Sequence, residues 1–374
     1  MTQFIPVAIP YIAKNSSKYM QAALDEGAIS GLFGDSIGIF EKKFAEFVGA
    51  EHAVACSSGT SALHLALAAH GISKDDEVLV ASLTNMATFF AVIYCGATPI
   101  PVDIDEETFC ISVDDLKRKI TSSTKAILIV HLFGQSCDMD SIMEISQGYG
   151  IKVFEDCAES HGAIYKGKMT GSIGEAGCFS FFANKNLNTG EGGMVTTNNV
   201  ELANRMRTMK SLYFGKENKF LHEGVGFNYR MDNLKAALGK AQMEEVNEII
   251  EMKMNMGRNY DKLLSGESRV ILPKIDISSK NVYWMYHIRL IENLVPRRSE
   301  ILDKLRSFGV DTRPGFVSYT LQPFCDSEVA EQYPCPVSES VSYATFYLPS
   351  SHDIDVSTQE YVIEKLVDVL DTCE

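Results

Sequence analysis

No apolar run in this sequence approaches the roughly 20 residues that a helix needs to cross a bilayer, so no membrane association is expected. Positive charge is scarce. With 34 Lys and Arg against 49 Asp and Glu the formal net charge is -15, which argues against nucleic-acid binding and offers a phosphorylated ligand no general attraction. Any phosphate must be held by local donors. None of the nine cysteines pairs into a CxxC and most sit inside apolar runs, which reads as reduced, buried cysteine. The eight histidines show no HExxH or similar spacing, so no metal site is expected. A GxGxxG fingerprint and a Walker lysine are both missing, which leaves dinucleotide and P-loop readings without support. There is no internal repeat or low-complexity tract. The opening MTQFIPVAIPYIAKNSS carries two prolines and no basic stretch ahead of an apolar run; it does not read as a signal peptide, and a cytoplasmic address is expected.

What is present is a chain of 374 residues, 45% hydrophobic and 22% charged, enough for a large core and two domains. Residues 1–12 read as an extended arm, since Pro6 and Pro10 oppose helix. A helix over 16–26, a glycine-rich loop over 27–38 and a helix over 41–48 follow. Then near-continuous apolar runs (HAVAC, EVLVAS, ATPIPVD, KAILIVHLFG, KVFED) alternate with helical stretches. Such runs predict an α/β fold whose mainly parallel sheet is covered on both faces. Ligands of such sheets lie at the carboxyl ends of the strands, where Cys56 to Thr60, His131 to Gly134 and Asp156 fall. Residues 232–264 have helical character almost throughout and read as the bridge between a large α/β domain, 1–245, and a smaller C-terminal α+β domain, 246–374. Within the latter VYWMYHIRL reads as an aromatic strand belonging to the core, and a helix is expected over 299–308.

Two charged residues stand out against this frame. Lys185 follows the apolar strand GCFSFF and precedes a Gly-Glu-Gly-Gly turn, and Asp156 ends the strand VFED. A lysine in a loop is ordinarily solvated, and an Asp after a strand is ordinarily a turn or cap residue. An amine and a carboxylate at neighbouring strand ends also make the arrangement that holds an aldehyde cofactor with a pyridine ring. Ser57, Ser58, Gly59 and Thr60 supply a cap and a glycine ahead of a helix, so free N–H groups and the positive end of the helix dipole point at one spot. On spacing alone that spot is either an ordinary capped helix or a phosphate site.

The text around these residues decides between the readings. SFFANK with the following TGEGG, the preceding EDCAE, and also CSSGTSALHLAL, VHLFGQSCDMD, VGFNYRM and VYWMY resemble the DegT group of fold-type I aminotransferases, and within it the perosamine-synthase branch. The resemblance runs from about residue 8 to residue 348. It implies pyridoxal 5'-phosphate as cofactor and transfer of an amino group from glutamate to a keto sugar. The expected acceptor is C4 of a nucleotide-linked 4-keto-6-deoxyhexose, for surface polysaccharide, with another keto acceptor, non-nucleotide or phosphorylated, as the alternative. It also implies roles. Lys185 would form the Schiff base and move the proton; Asp156 would pair with the ring N–H. Glu159 would touch the ring hydroxyl, and the small Ala158 would let the ring lie close. Ser58, Gly59, Thr60 and Ser180 would hold the phosphate. Asn228 would reach the phosphate of a neighbouring subunit, making the site shared across a homodimer; its bland alternative is a turn before the next helix.

Departures from the family text fall on the substrate side. Asn85 stands where relatives have an aromatic that stacks on the ring. The stretch after Arg313 and Pro314 reads GFVSYT, with Ser318 and Tyr319 and no histidine. Ala28 replaces a tryptophan, and the loop SGLFGDS is one residue longer. Two other classes stay open at this point: a dehydratase on the same scaffold, which replaces the lysine by histidine, and a non-catalytic sensor.

Overall fold

The computed structural model describes residues 4–215 and 217–373. Its first half forms β1 (His52–Cys56), β2 (Glu77–Ala81), β3 (Thr98–Val102), β4 (Thr124–Val130) and β5 (Lys152–Asp156). The short pair β6 (Ile164–Tyr165) and β7 (Lys168–Met169) comes next, followed by β8 (Ala176–Ser180) and β9 (Gly193–Thr197). Seven of these make one sheet in the order β1-β9-β8-β5-β4-β2-β3. Pairing is parallel from β3 through β2, β4 and β5 to β8, while β9 runs antiparallel to both β8 and β1.

The apolar runs are continuous because both faces of the sheet are buried. Leu79, Ile127 and Ile129 enter one core with Ile100, Ile142 and Val153. Their neighbours Val78, Val80 and Leu128 enter a second core with Leu65, Phe89 and Val92. That is the period-two alternation of a strand with no polar face. Each such fully buried side chain contributes roughly 1.5 to 3 kcal/mol, so the parallel centre is a firmly packed base for what its strand ends carry.

The second half adds β10 (Val270–Ile271), β11 (Ser279–Lys280), β12 (His287–Leu290), β13 (Arg313–Pro314) and β14 (Thr345–Tyr347). A four-stranded antiparallel sheet, β10-β12-β14-β13, packs with the helices Val246–Leu263 and Val356–Asp371 around Tyr260, Ile288, Phe346 and Leu366. β11 joins β6 and β7 in a small third sheet, tying this half to the segment after β5.

Three local expectations are corrected. The helical stretch over 232–264 is two helices, Asn233–Glu244 and Val246–Leu263, broken at Glu245 with φ -115° and ψ 12°. The Glu245 carboxylate accepts hydrogen bonds from the Tyr11 hydroxyl (2.7 Å) and the Lys14 N–H (2.9 Å), docking the N-terminal arm at the break. The helix expected over 41–48 starts earlier, as Ser36–Val48, because Phe40, Phe44 and Val48 bury one face and Gly38 is carried along on the open side. Of VYWMYHIRL only His287–Leu290 is strand. Tyr283 adopts a left-handed φ of 46°, unusual for a bulky residue. The Val282 and Trp284 N–H groups reach Gly134 O and Phe133 O, both at 3.2 Å. This irregular pairing leaves Trp284 in the core beside Phe133, 4% exposed, at the side of it that meets the strand ends.

Candidate active site

A cavity of about 370 Å3 opens at the carboxyl ends of β1, β4, β5 and β8, and Ser58, Gly59, Thr60, Asp156, Ala158, Glu159, Ser180 and Lys185 all line it. Asn228 alone of the expected residues is outside it. Asn228 is exposed, in an isolated bridge with Ser211.

One end of the cavity is the start of the helix Gly59–His70. Ser58 caps it, its hydroxyl accepting from the Ser61 N–H at 3.1 Å while Ser61 Oγ accepts from the Ser58 N–H at 2.9 Å. Among the described residues the Gly59 and Thr60 N–H groups meet no acceptor. The helix start is therefore a donor pair at the positive end of a dipole, suited to an anion. Close approach fixes its shape. A Cβ on Gly59 would lie 2.7 Å from Ser180 Cβ, and one on Gly193 would lie 2.1 Å from Ser58 O, so neither position accepts a side chain.

At the end of β5, Asp156 is buried, Oδ2 accepting from Thr88 Oγ1 (2.8 Å) and Oδ1 from the Ala158 N–H (3.0 Å). Burial raises its pKa; the Ala158 N–H, the Thr88 hydroxyl and the charge of Lys185 oppose that without cancelling it. An incoming cation at Asp156 would restore the charged form.

Lys185 projects from the loop after β8. The loop is clamped from several sides: Lys185 N–H to Phe182 O (2.9 Å), Trp284 Nε1 to Asn184 O (2.9 Å), Asn186 Nδ2 to Val282 O (3.2 Å), and His352 Nε2 to Asn186 O (3.0 Å). Its Nζ sits 3.6 Å from Glu159 Oε1 and 3.9 Å from the centroid of the Trp284 ring. Burial lowers the amine's pKa, with Glu159 and Asp156 pulling it back up. A buried amine with a depressed pKa beside a carboxylate is an activated nucleophile and a base.

Comparison with known proteins follows the same geometry. The model of the DegT/DnrJ/EryC1/StrS aminotransferase family matches residues 10–367. The chain belongs to that family. A GDP-perosamine synthase of Caulobacter vibrioides is 43% identical over 320 residues, 85% of this chain and 86% of that one. Another from Escherichia coli O157:H7 is 39% identical over 97% of this chain and 98% of its own. The solved aminotransferase of Psychrobacter cryohalolentis superposes with a TM-score of 0.92 at 27% identity over 99% of each chain.

As a member of the DegT/DnrJ/EryC1/StrS family the protein is a transaminase that uses pyridoxal 5'-phosphate. The cavity fits that cofactor: free N–H donors at a helix start for a phosphate, a small Ala158 beside the carboxylate, and a buried amine within the same cavity. When bound, the cofactor supplies the electron-withdrawing ring on which an amino group is carried.

Several residues of this family member's site escaped the sequence. Trp284, assigned there to the core, lines the cavity, as do Arg313, Phe316 and Tyr347. Thr88, in the first turn of the helix Ala87–Tyr94, holds Asp156. Phe133 donates its N–H to Glu159 Oε2 at 3.0 Å from a left-handed conformation, φ 52°, which nothing in the text announced. The departures also sort themselves. Asn85 is at the cavity, its Oδ1 accepting from the Ala87 N–H at 3.0 Å in a turn ahead of the helix, and it puts no ring there. Ser318 and Tyr319 are instead buried behind the wall, Ser318 Oγ 3.2 Å from Ser82 Oγ and Tyr319 stacked on Phe89 at 4.0 Å. Ala28 is buried under the Asn233 amide, also away from this chain's cavity.

His131, Glu155 and Cys157 meet in the core within 4.8 Å of one another, an arrangement that could suggest a metal. Their lone pairs are used otherwise. Glu155 accepts from His131 Nε2 (3.0 Å) and from the N–H groups of Gly171, Ile173 and Gly174 (2.7, 2.9 and 2.7 Å), while His131 Nδ1 accepts from the Cys137 N–H (3.1 Å). The cluster pins the loop after β7 beneath β5.

Proposed function

We propose that this protein moves an amino group from glutamate to the keto carbon of a nucleotide-linked sugar, with C4 of a 4-keto-6-deoxyhexose as acceptor and an amino sugar for surface polysaccharide as product. The observation that carries the reaction is Lys185 Nζ, buried 3.6 Å from Glu159 in the cavity that also holds Asp156 and the open helix start. The acceptor class rests on the two relatives named as GDP-perosamine synthases, which match almost the whole chain. Lys185 would bind the cofactor and carry the proton, Asp156 would pair with its ring N–H, and Glu159 would lie at its hydroxyl. Ser58, Gly59, Thr60 and Ser180 would take its phosphate. A dehydratase is disfavoured by the lysine itself. We place the domain boundary at the Glu245 break, residues 1–245 and 246–374.

Adding glutamate to the cofactor-loaded protein is expected to abolish the absorbance of the lysine-bound cofactor, and a GDP-linked 4-keto-6-deoxyhexose is expected to restore it, in two separable half-reactions. A spectrum indifferent to glutamate would mean that another compound is the amino donor. Restoration by dTDP- or UDP-linked keto sugars alone would move the acceptor to another nucleotide.

The same proposal includes a homodimer with a shared site. Asn228 is exposed and outside its own cavity, and Phe220, Leu221 and Val225 beside it are 80%, 67% and 85% exposed, an apolar surface of the kind a partner covers. A hydrogen bond to a charged group is worth about 1.5 to 3 kcal/mol, so Asn228→Ala is expected to weaken cofactor binding on the order of tenfold to a hundredfold with the fold retained. Mixing it with Lys185→Ala at limiting cofactor should recover part of the activity, because a mixed dimer assembles one site with both natural residues. No recovery despite proven subunit exchange would place the action of Asn228 within its own chain.

A further inference from the structure

Glu159 is held where an amide would make the same backbone contact. Its Oε2 accepts the Phe133 N–H, and its Oε1 faces Lys185 Nζ at 3.6 Å, with the two side chains only 4% and 11% exposed. The other titratable groups around the pair are few. Asp156 lies on β5, His131 beyond it and His161 behind the lysine; Tyr347 approaches from β14, with Arg313 of β13 beyond it.

Two effects compete over where the proton of the pair resides. The short separation, the Phe133 N–H on the carboxyl and the Trp284 face under the amine favour carboxylate and ammonium. Burial of both groups, with no further counter-ion in contact among the described residues, favours carboxylic acid and free amine. Burial pushes the Glu159 pKa up to about 7 against the opposing influence of Lys185 and the Phe133 N–H, while the amine is pushed down. Both shifts act to narrow the gap between the two forms.

We propose that Glu159 and Lys185 hold one proton between them whenever the lysine is not covalently engaged, so that Glu159 is the proton store for the nucleophile. The Nζ–H bond breaks as an Oε1–H bond forms, leaving the amine lone pair free for attack on a carbonyl; the proton returns by the reverse step. A glutamine at this position could still accept the Phe133 N–H but could not take the proton. This rests on the reading of Lys185 as the cofactor lysine.

The test uses the cofactor-free protein and the rate at which it captures pyridoxal 5'-phosphate as a function of pH, with borohydride trapping and peptide mapping. In the natural protein the capture rate should follow two titration steps, belonging to the pair rather than to either residue. Glu159→Gln should show a single step, moved to lower pH by about one unit or more, because a neighbouring negative charge raises an amine pKa and its removal lowers it. Glu159→Asp, which keeps the charge on a shorter arm, should retain two steps; it also serves if the glutamine variant is poorly folded. Superimposable profiles for the natural protein and Glu159→Gln would overturn the proposal while leaving Lys185 as the cofactor lysine. Trapping on another lysine would overturn both.

Discussion

Lys185→Ala is expected to abolish transamination, with a loss on the order of ten thousandfold or more, since on the proposed reading it removes both the covalent anchor and the group that moves the proton. The variant should stay folded. The loop around it is held by Asn184 O, Asn186 and His352, none of which needs the Lys185 side chain, and truncating a buried amine relieves its desolvation. Purified Lys185→Ala should lack the visible absorbance of lysine-bound cofactor and give no borohydride-fixed label, while its circular dichroism and melting remain close to those of the natural protein. A labelled peptide elsewhere in the chain would show that the anchor had been misassigned.

Asp156→Asn should slow proton transfer far more than it weakens cofactor binding. The change preserves volume and local bonding: an amide oxygen can keep the Ala158 N–H, and the Thr88 hydroxyl can turn from donor to acceptor for the new NH2. What disappears is the negative charge in a buried site, where it is worth most. Losing about 3 kcal/mol of transition-state stabilisation lowers kcat roughly a hundredfold or more, and a rapid-mixing measurement of the glutamate half-reaction would read it directly. Turnover within a few fold of the natural rate would remove Asp156 from the chemistry.

Both variants fall on residues that the sequence alone singled out, and the reason is local. Lys185 and Asp156 sit at strand ends, the Ser58 cap at a strand-to-helix turn, and each such position is marked by a change of pattern within a few residues: an apolar run stops and a polar or glycine-rich turn begins. The helix break at Glu245 left no such mark, because the apolar period continues across it, and it was found only in the packing of the arm residues Tyr11 and Lys14.

The sequence by itself determined the parallel sheet, since strands apolar at every position can only be buried on both faces, and it determined the amine, the carboxylate and the capped turn that those strand ends present. Only the tertiary structure decided what surrounds the amine. Trp284 under Lys185, the Phe133 N–H on Glu159 and Thr88 on Asp156 are contacts between residues 99, 26 and 68 positions apart or more. Two of them depend on single left-handed residues, Tyr283 nearby and Phe133 itself. Such conformations cost energy locally and are held by the packing around them, so no pattern read along the chain announces them.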